Sequence, residues 1–545
     1  MNRQLLIIFA VLLLLINSHV LAQWQWSQHL GSSYMPYTEN AQIVSDGINN
    51  YVFGTFGDVL YMPSDTLFST GSNDIFITKI DANGQKIWTK QIGGFNSSFM
   101  HWEGINAVYD SITNCLFLSG KYYGVVNFDT VATLFSTAGT TDIFIARMDL
   151  NGNFIWAKRV WGNDNELCNI YSNQKGKIYL VAQSNDSLIF DNFHIGPGGS
   201  LAQYDMNGNC IAAKKLFNSA TGPNSNTVLI SFLGSDIVFY GAYRSSPFEL
   251  DTVVLNPDGN FDAFIARADS NGNVKWVKHF GGLNLEAFQG LAVDDSSNLY
   301  VTGGFQDSIT IGSHVLLNNG PDILFAKFDQ LGNLLWANQA FVSGSNASAS
   351  KIISDHFGNC YFVGIYSGNA SFGNFNITTS NQYDMFITKY DYNGNCIGIS
   401  HFGTANTTNL AIDHAGSVYC TGVFKNAVSI GTNVLTALGG GDIFIAKHDA
   451  ITGFKGFEKS TSTNQLLIQA NPNSGKCNIS IPDEFAHEKN LSLSIYNNKG
   501  QLIHQLPIQL NENKIKLNLE AEAKGMYNAV LSNGTKNYSG KIIFE

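Results

Sequence analysis

The sequence predicts an all-β protein of two units: a ring of seven four-stranded sheets, that is a seven-bladed β-propeller, followed by a small Ig-like β-sandwich. Three observations carry this. A unit of about 60 residues recurs seven times, each copy contains short strands of period two separated by turn residues, and the repeat stops near residue 458, where a different run of short strands begins. Composition agrees. Glycine (53) far outnumbers proline (10), only 13% of residues are charged and 44% are hydrophobic, which suits many short strands joined by tight turns. The net charge of −11 and the lack of any Lys/Arg run exclude a nucleic-acid partner, since phosphate binding requires a clustered basic face.

Residues 1–22 read as a signal peptide. Arg3 supplies the positive start, Leu5 to Ile16 form an apolar stretch, and Val20-Leu21-Ala22 offers a cleavage site before Gln23. The apolar stretch is shorter than the roughly 20 residues a membrane span requires, and no later segment is long enough, so no membrane span is expected after cleavage. No Cys follows that stretch, which argues against a lipoprotein.

Residues 23–458 hold the repeat. Its clearest copy is DIFITKIDANGQKIWTKQIGG from Asp74, echoed from Asp142, Asp262, Asp322, Asp384 and Asp442, with a degraded copy from Leu201. The turn aspartates Asp81, Asp149, Asp205, Asp269, Asp329, Asp391 and Asp449 count seven units. Within one unit, residues 288–295, 298–305, 322–329 and 334–341 read as four strands of an antiparallel meander. One such sheet cannot bury both faces, but seven stacked in a circle can. The ends of the array agree with closure. QWSQHLG (25–31) matches a fourth strand and precedes any complete unit, whereas the last unit ends in GFKGFEKS (453–460), a poor fourth strand without Trp. The N-terminal strand is therefore expected to complete the seventh blade.

The repeated residues have structural readings. Asp-x-Asn-Gly, as in Asp149-Leu150-Asn151-Gly152, suggests a calcium loop, but its Gly comes too early, and Asn-Gly is a strong hairpin signal because both residues tolerate positive φ. The recurring Trp26, Trp88, Trp156, Trp276 and Trp336 read as spacers between blades rather than sugar platforms. The leading aspartates (Asp74, Asp142, Asp262, Asp322, Asp384 and Asp442) read as loop anchors. A functional residue should break the symmetry instead. The third unit is the least regular, with Gly198 replacing the Asp and Ile211 the Trp, and His101, Trp102 and Glu103 cluster in one loop. Neither feature amounts to acid–base chemistry, and there is no G-x-S-x-G, H-E-x-x-H or Walker motif. Cys115, Cys168, Cys210, Cys360, Cys396, Cys420 and Cys477 are scattered without metal-ligand spacing and read as small buried hydrophobes. No catalytic residue, cofactor or metal site is expected.

The repeat resembles the seven-bladed β-propeller family common in bacterial exported proteins. LAVDDSSNLYVTGGF followed by DILFAKFDQLGNLLWAN carries the likeness, which covers about residues 25–457. Such a propeller hosts many activities, so the likeness implies a fold rather than a function. After a polar linker (459–465), residues 466–545 contain seven short strand signals. This stretch resembles the type A C-terminal sorting domain of type IX secretion cargo in Bacteroidetes. Ala470-Asn471-Pro472-Asn473 stands for the Y-P-N-P motif, Ile495 to Gln501 for the I-Y-N-x-x-G-Q hairpin, and Lys524-Gly525-Met526-Tyr527 for the final turn. Ala470 and Asn473 depart from the pattern. The resemblance implies export to the cell surface or medium, with the type IX machinery as partner. The propeller itself is expected to be a non-catalytic binding module for a protein or glycan. A structural or adhesive surface protein is the alternative, and a polysaccharide-active enzyme a more distant one.

Overall fold

The computed structural model describes residues 24–448, apart from short stretches such as 33–40, 100–104, 163–166 and 219–225, and most of 466–544. The chain divides into two compact units, residues 1–454 and 455–545. The described residues contain strands and no α-helix.

The first unit contains seven four-stranded antiparallel meanders, numbered here in chain order. Sheet 1 runs Gln42–Ser45, Asn50–Phe56, Asp74–Ile80, Lys86–Ile92, and sheets 2 to 6 repeat that order. Sheet 7 takes three strands from Ala405–Ile412, Val418–Phe424 and Asp442–His448, and its fourth is the N-terminal Trp24–Ser32. In this pairing Leu30 lies opposite Ile443 and Trp26 opposite Lys447. The poor fourth strand at 453–460 lies outside the described residues.

Period-two patterning on both faces gives each sheet two apolar sides. Each consecutive pair of sheets shares one buried cluster. Sheets 1 and 2, for example, bury Phe53, Ile77 and Ile92 against Leu116, Leu118 and Phe144. One further cluster joins the last sheet to the first, with Leu30, Tyr419, Ile443 and Ile445 packing with Ile43, Val52 and Phe76. Each buried Phe or Ile contributes about 1.5–3 kcal/mol by leaving water.

Four strands per unit was an undercount. Between the second and third strands most units insert a short hairpin, such as Val125–Phe128 with Ala132–Phe135, or Asn369–Phe372 with Phe375–Thr378. Its turn requires positive φ, which Asp129, Asp191 and Asp251 supply in three sheets and Gly312, Gly373 and Gly431 in three others.

The Asp-x-Asn-Gly element is a turn, though not one with two positive-φ residues. Only the Gly is left-handed (Gly152, φ 90°). Asp149 Oδ1 accepts from the backbone N–H of Asn151 (2.8 Å) and Asn153 (2.9 Å), and the ladder shifts register at the next pair. The loop is therefore an Asx-stabilised turn ending in a glycine bulge.

The described residues of the second unit contain seven strands in two sheets. Ile468–Gln469, Lys476–Ser480 and Lys514–Asn518 form one; Leu502–Ile508, Leu491–Asn497, Gly525–Ser532 and Asn537–Phe544 form the other. One core, including Ile479, Leu493, Ile495, Leu517 and Ile542, lies between them.

Candidate functional site

The periodic residues form the scaffold. The leading aspartates are buried, and they accept hydrogen bonds from the loop before them, from the fourth strand, or from both. Asp142 accepts from the backbone N–H of Thr137 (2.8 Å) and Gly162 (3.0 Å) and pairs with Arg159 (2.5 Å). Asp322 accepts from Val342 N–H (2.8 Å) and from the Gln339 amide. The tryptophans are spacers with a polar tip. Each indole covers the turn glycine of the next sheet, Trp88 over Gly152 and Trp336 over Gly394; these two donate Nε1–H to a turn carbonyl, Leu150 (3.2 Å) and Tyr392 (3.3 Å) respectively, whereas the Trp276 Nε1–H is buried without a partner among the described residues. Trp26 makes both contacts from the N-terminal strand onto sheet 1, over Gly84 and to the Ala82 carbonyl (3.2 Å).

Sheet 3 departs from this pattern. Register places Ala212 rather than Ile211 at the Trp position, opposite Gln203, and Ile211 is an exposed neighbour. Gln203 Nε2 compensates by donating to the Ser270 carbonyl of sheet 4 (2.6 Å). Gly198 does hold the position of the missing aspartate. His101, Trp102 and Glu103 lie outside the described residues. All seven cysteines are free thiols, five of them buried.

Away from these periodic contacts, the first strands of all seven sheets line a single cavity of about 590 Å³. Each first strand pairs on one side only, so its other backbone edge is left to the cavity and to neighbouring first strands. Side chains bridge those edges. Asn106 Nδ2 donates to the Cys168 carbonyl (2.9 Å), Ser354 Oγ to the Val293 carbonyl (3.0 Å), and Asn409 Nδ2 to Gln42 Oε1 (2.5 Å). The Tyr171 hydroxyl accepts from the Ile230 N–H, and the Tyr240 hydroxyl from the Leu291 N–H. Burial pushes both phenols upward.

The cavity wall is asymmetric. The first strands of sheets 5, 6 and 7 each carry a β-bulge, between Phe288 and Gly290, Ala349 and Lys351, and Thr407 and Asn409, whereas those of sheets 1 to 4 are regular. A bulge re-aims side chains at the cost of a ladder bond. Here it brings Gln289, Ser350 and Lys351 to the cavity. Lys351 is the one formally charged residue in the described lining, and its ammonium has no hydrogen-bond or ion-pair partner among the described residues. Its side chain meets cavity water but is enclosed by protein, and this desolvation lowers its pKa. Beside it, Ser350 Oγ is buried and also without a partner. The rest of the lining offers amides, hydroxyls and the aromatic rings of Tyr109, Tyr171, Phe232 and Tyr240. Sequence reasoning missed this site because no residue in it belongs to the repeated motif. Its signal was a lysine in a first strand whose counterparts are apolar or neutral.

Comparison with known proteins identifies one segment. Residues 470–545 match the family of secretion system C-terminal sorting domains. The chain therefore carries a type IX sorting domain and is secreted to the cell surface or outer membrane. Over 381 residues it is 22% identical to an uncharacterised WD repeat-containing protein of Acanthamoeba polyphaga mimivirus, a match covering 61% of this chain and 27% of that protein. The chain thus spans about a quarter of that relative's length. Among solved structures it is similar to a member of the DUF4221 family from Bacteroides vulgatus (13% identity, 63% of this chain and 98% of that one, TM-score 0.28). It is also similar to a gluconolactonase from Xanthomonas campestris (10%, 65% and 97%, 0.25) and to the phage phi92 endosialidase (11%, 94% and 87%, 0.35).

Proposed function

We propose that the mature chain is a closed seven-bladed β-propeller carried across the outer membrane by an Ig-like sorting sandwich. In this reading the propeller acts at the surface as a non-catalytic binding module whose ligand enters the central cavity. One observation carries the binding role: a channel-sized cavity walled by seven edge strands, with neutral amides, hydroxyls and aromatic faces around one unpaired ammonium. Amides and hydroxyls orient a polar ligand, aromatic faces stack on it, and a lone desolvated cation rewards a negative or strongly dipolar group. The periodic aspartates and tryptophans are occupied in holding the sheets together, and so leave recognition to the cavity.

The test is capture by the mature chain (residues 23–545) on a glycan array and in pull-downs, beside a Lys351→Met variant. Ligand bound by the wild type and weakened at least tenfold by Lys351→Met is the expected result. Turnover of a polysaccharide without stable binding overturns the non-catalytic reading. Binding indifferent to Lys351→Met moves the ligand out of the cavity.

A further inference from the structure

At the junction of sheets 4 and 5, the loop-anchoring device carries additional acidic groups. Asp262, the leading aspartate of sheet 4, holds His279 Nε2 at 2.8 Å and accepts from the backbone N–H of Asp258 (2.6 Å). The Asp258 carboxylate lies 3.7 Å from the same His279 nitrogen. Glu286, which opens the first strand of sheet 5, is fully buried next to this group. A Cβ on Gly281 would lie within 3 Å of Asp262 Oδ2 and His279 Nε2, and one on the adjacent Gly282 within 3 Å of Glu286 Oε1.

Sheet 6 provides an internal reference. It has the same residue types at the same register positions, Asp384 and His401, but His401 is hydrogen-bonded to the Tyr366 hydroxyl (3.0 Å). Ser380 stands where sheet 4 has Asp258. By register, Ala405 stands where Glu286 does, each lying opposite the second-strand residue that pairs with a leading aspartate. Sheet 4 and its neighbour therefore add two carboxylates to a device that works without them elsewhere in the ring.

Two atoms point to a missing ligand. Asp262 Oδ1 and Glu286 Oε1 are buried and have no hydrogen-bond partner, although both residues are fully inaccessible. An unsatisfied buried carboxylate oxygen costs about 1–3 kcal/mol or more, so each of the two calls for a compensating group.

We infer that Asp258, Asp262 and His279, backed by Glu286, form a binding site for a divalent transition-metal ion of the zinc type. The ligand atoms of the first three lie within 4.8 Å of one another. Tetrahedral zinc with bonds of about 2.0–2.1 Å sets its ligands about 3.3 Å apart, so the 2.8 Å and 3.7 Å separations converge on it with shifts of about half an ångström. One imidazole nitrogen with carboxylate oxygens favours zinc, manganese or cobalt over calcium, which takes six to eight oxygens. Asp258 is 67% exposed, which gives the ion a way in and leaves a coordination position for water. The site lies where the third and fourth strands of sheet 4 meet the loop carrying Asp258 and owes nothing to the cavity lining, so it stands or falls separately from the binding role proposed above.

The experiment titrates the metal-stripped mature chain with Zn²⁺ by calorimetry, and in parallel with Ca²⁺. Asp258→Asn and His279→Ala are the variants, since Asp258 is on the surface and His279 is partly exposed. Circular dichroism checks that both fold. One equivalent of Zn²⁺ is expected, with affinity reduced at least tenfold in each variant and little response to Ca²⁺. Co²⁺ in place of Zn²⁺ should give visible d–d bands that vanish in His279→Ala. No Zn²⁺ uptake by the wild type overturns the assignment. So does uptake unchanged in both folded variants, which would place the ion on the thiols or elsewhere, and so does tight Ca²⁺ binding indifferent to His279→Ala.

Discussion

If the N-terminal strand closes a ring, its Trp26 and the Gly84 turn of sheet 1 must be energetically coupled despite lying 58 positions apart in the sequence. Gly84 has φ +79° and a Cβ built on it would sit 3.1 Å from three atoms of the Trp26 indole. Gly84→Ala then carries two costs. Holding alanine in the left-handed region costs about 1–2 kcal/mol, and relieving a carbon contact well inside the usual 3.5–4.0 Å adds about 1 kcal/mol. Gly139→Ala isolates the first cost, because Gly139 has φ +85° and nothing within 4 Å of its added Cβ. Trp26→Ala loses partly buried packing and the hydrogen bond to Ala82, about 2–4 kcal/mol together. In the Trp26→Ala background the crowding disappears, and Gly84→Ala should cost no more than Gly139→Ala. The double mutant is therefore expected to be less destabilised than the sum of the singles by about 1 kcal/mol, outside the 0.3–0.5 kcal/mol within which independent sites add. Urea unfolding of the mature chain, followed by tryptophan fluorescence and far-UV dichroism, measures all four species. Strict additivity would refute closure through this strand.

Three further outcomes follow from the scaffold and the tag. Asp142→Ala should destabilise the chain by about 3–5 kcal/mol, because it strands the largely buried Arg159 and two loop N–H groups; a loss below 1 kcal/mol in urea titrations would contradict the anchoring role. Asp149, Asp205, Asp269 and Asp329 have depressed carboxyl pKa values because turn N–H and Asn side-chain hydrogen bonds outweigh the opposing effect of burial. Groups with a lowered folded pKa contribute stability that is complete above the unfolded value and lost as pH falls through the folded one, so the urea midpoint should drop below about pH 4, and Asp329→Asn should flatten that drop. Deleting residues 466–545 should leave the protein in the periplasm by fractionation and surface labelling, and normal surface display without them would remove the sorting role from this domain.

What the sequence revealed and what it concealed divide along the repeat. Features present in most units announce themselves by recurrence: the Asp-x-Asn-Gly turn, the Trp spacer and the leading Asp were all legible, as was the stray strand at 25–31. The inserted hairpins escaped because their strands are only three or four residues long and their turns use Asp in some sheets and Gly in others. The Ile211 assignment slipped by one residue because the sheet 3 ladder is irregular at that point, and only the pairing of Gln203 with Ala212 fixes the register. The cavity lysine and the Asp258–His279–Glu286 group were invisible for a deeper reason. Asp262 and His279 keep the spacing by which other leading aspartates meet a fourth-strand glutamine, so they read as one more copy of the anchor, while Asp258, Glu286 and Lys351 come from a loop and two first strands and belong to no repeated motif.

Those two sites lie where this architecture leaves room for them. Across the seven sheets the repeated side chains are committed to the scaffold: the aspartate to its own loop or fourth strand, the indole to a turn of the next sheet, the third-strand cation to a carbonyl there, as Lys79 is to Leu150 and Arg147 to Met206. A residue so committed cannot also serve a ligand without loosening an interface that every unit shares. Chemistry is therefore confined to positions where one unit differs from the rest, and there the difference should have a cost that the scaffold does not explain. Lys351, an uncompensated cation on a bulged edge strand, and the unsatisfied oxygens of Asp262 and Glu286 both meet that condition, whereas the irregular sheet 3 does not, because Gln203 and the Tyr179 hydroxyl still satisfy the Ser270 carbonyl of the neighbouring turn. Loss of symmetry alone marks drift; loss of symmetry with an unmet electrostatic demand marks a site, and Lys351→Met separates the two, raising the urea midpoint as it weakens binding if the lysine is retained for a ligand, and lowering it if the lysine serves the fold.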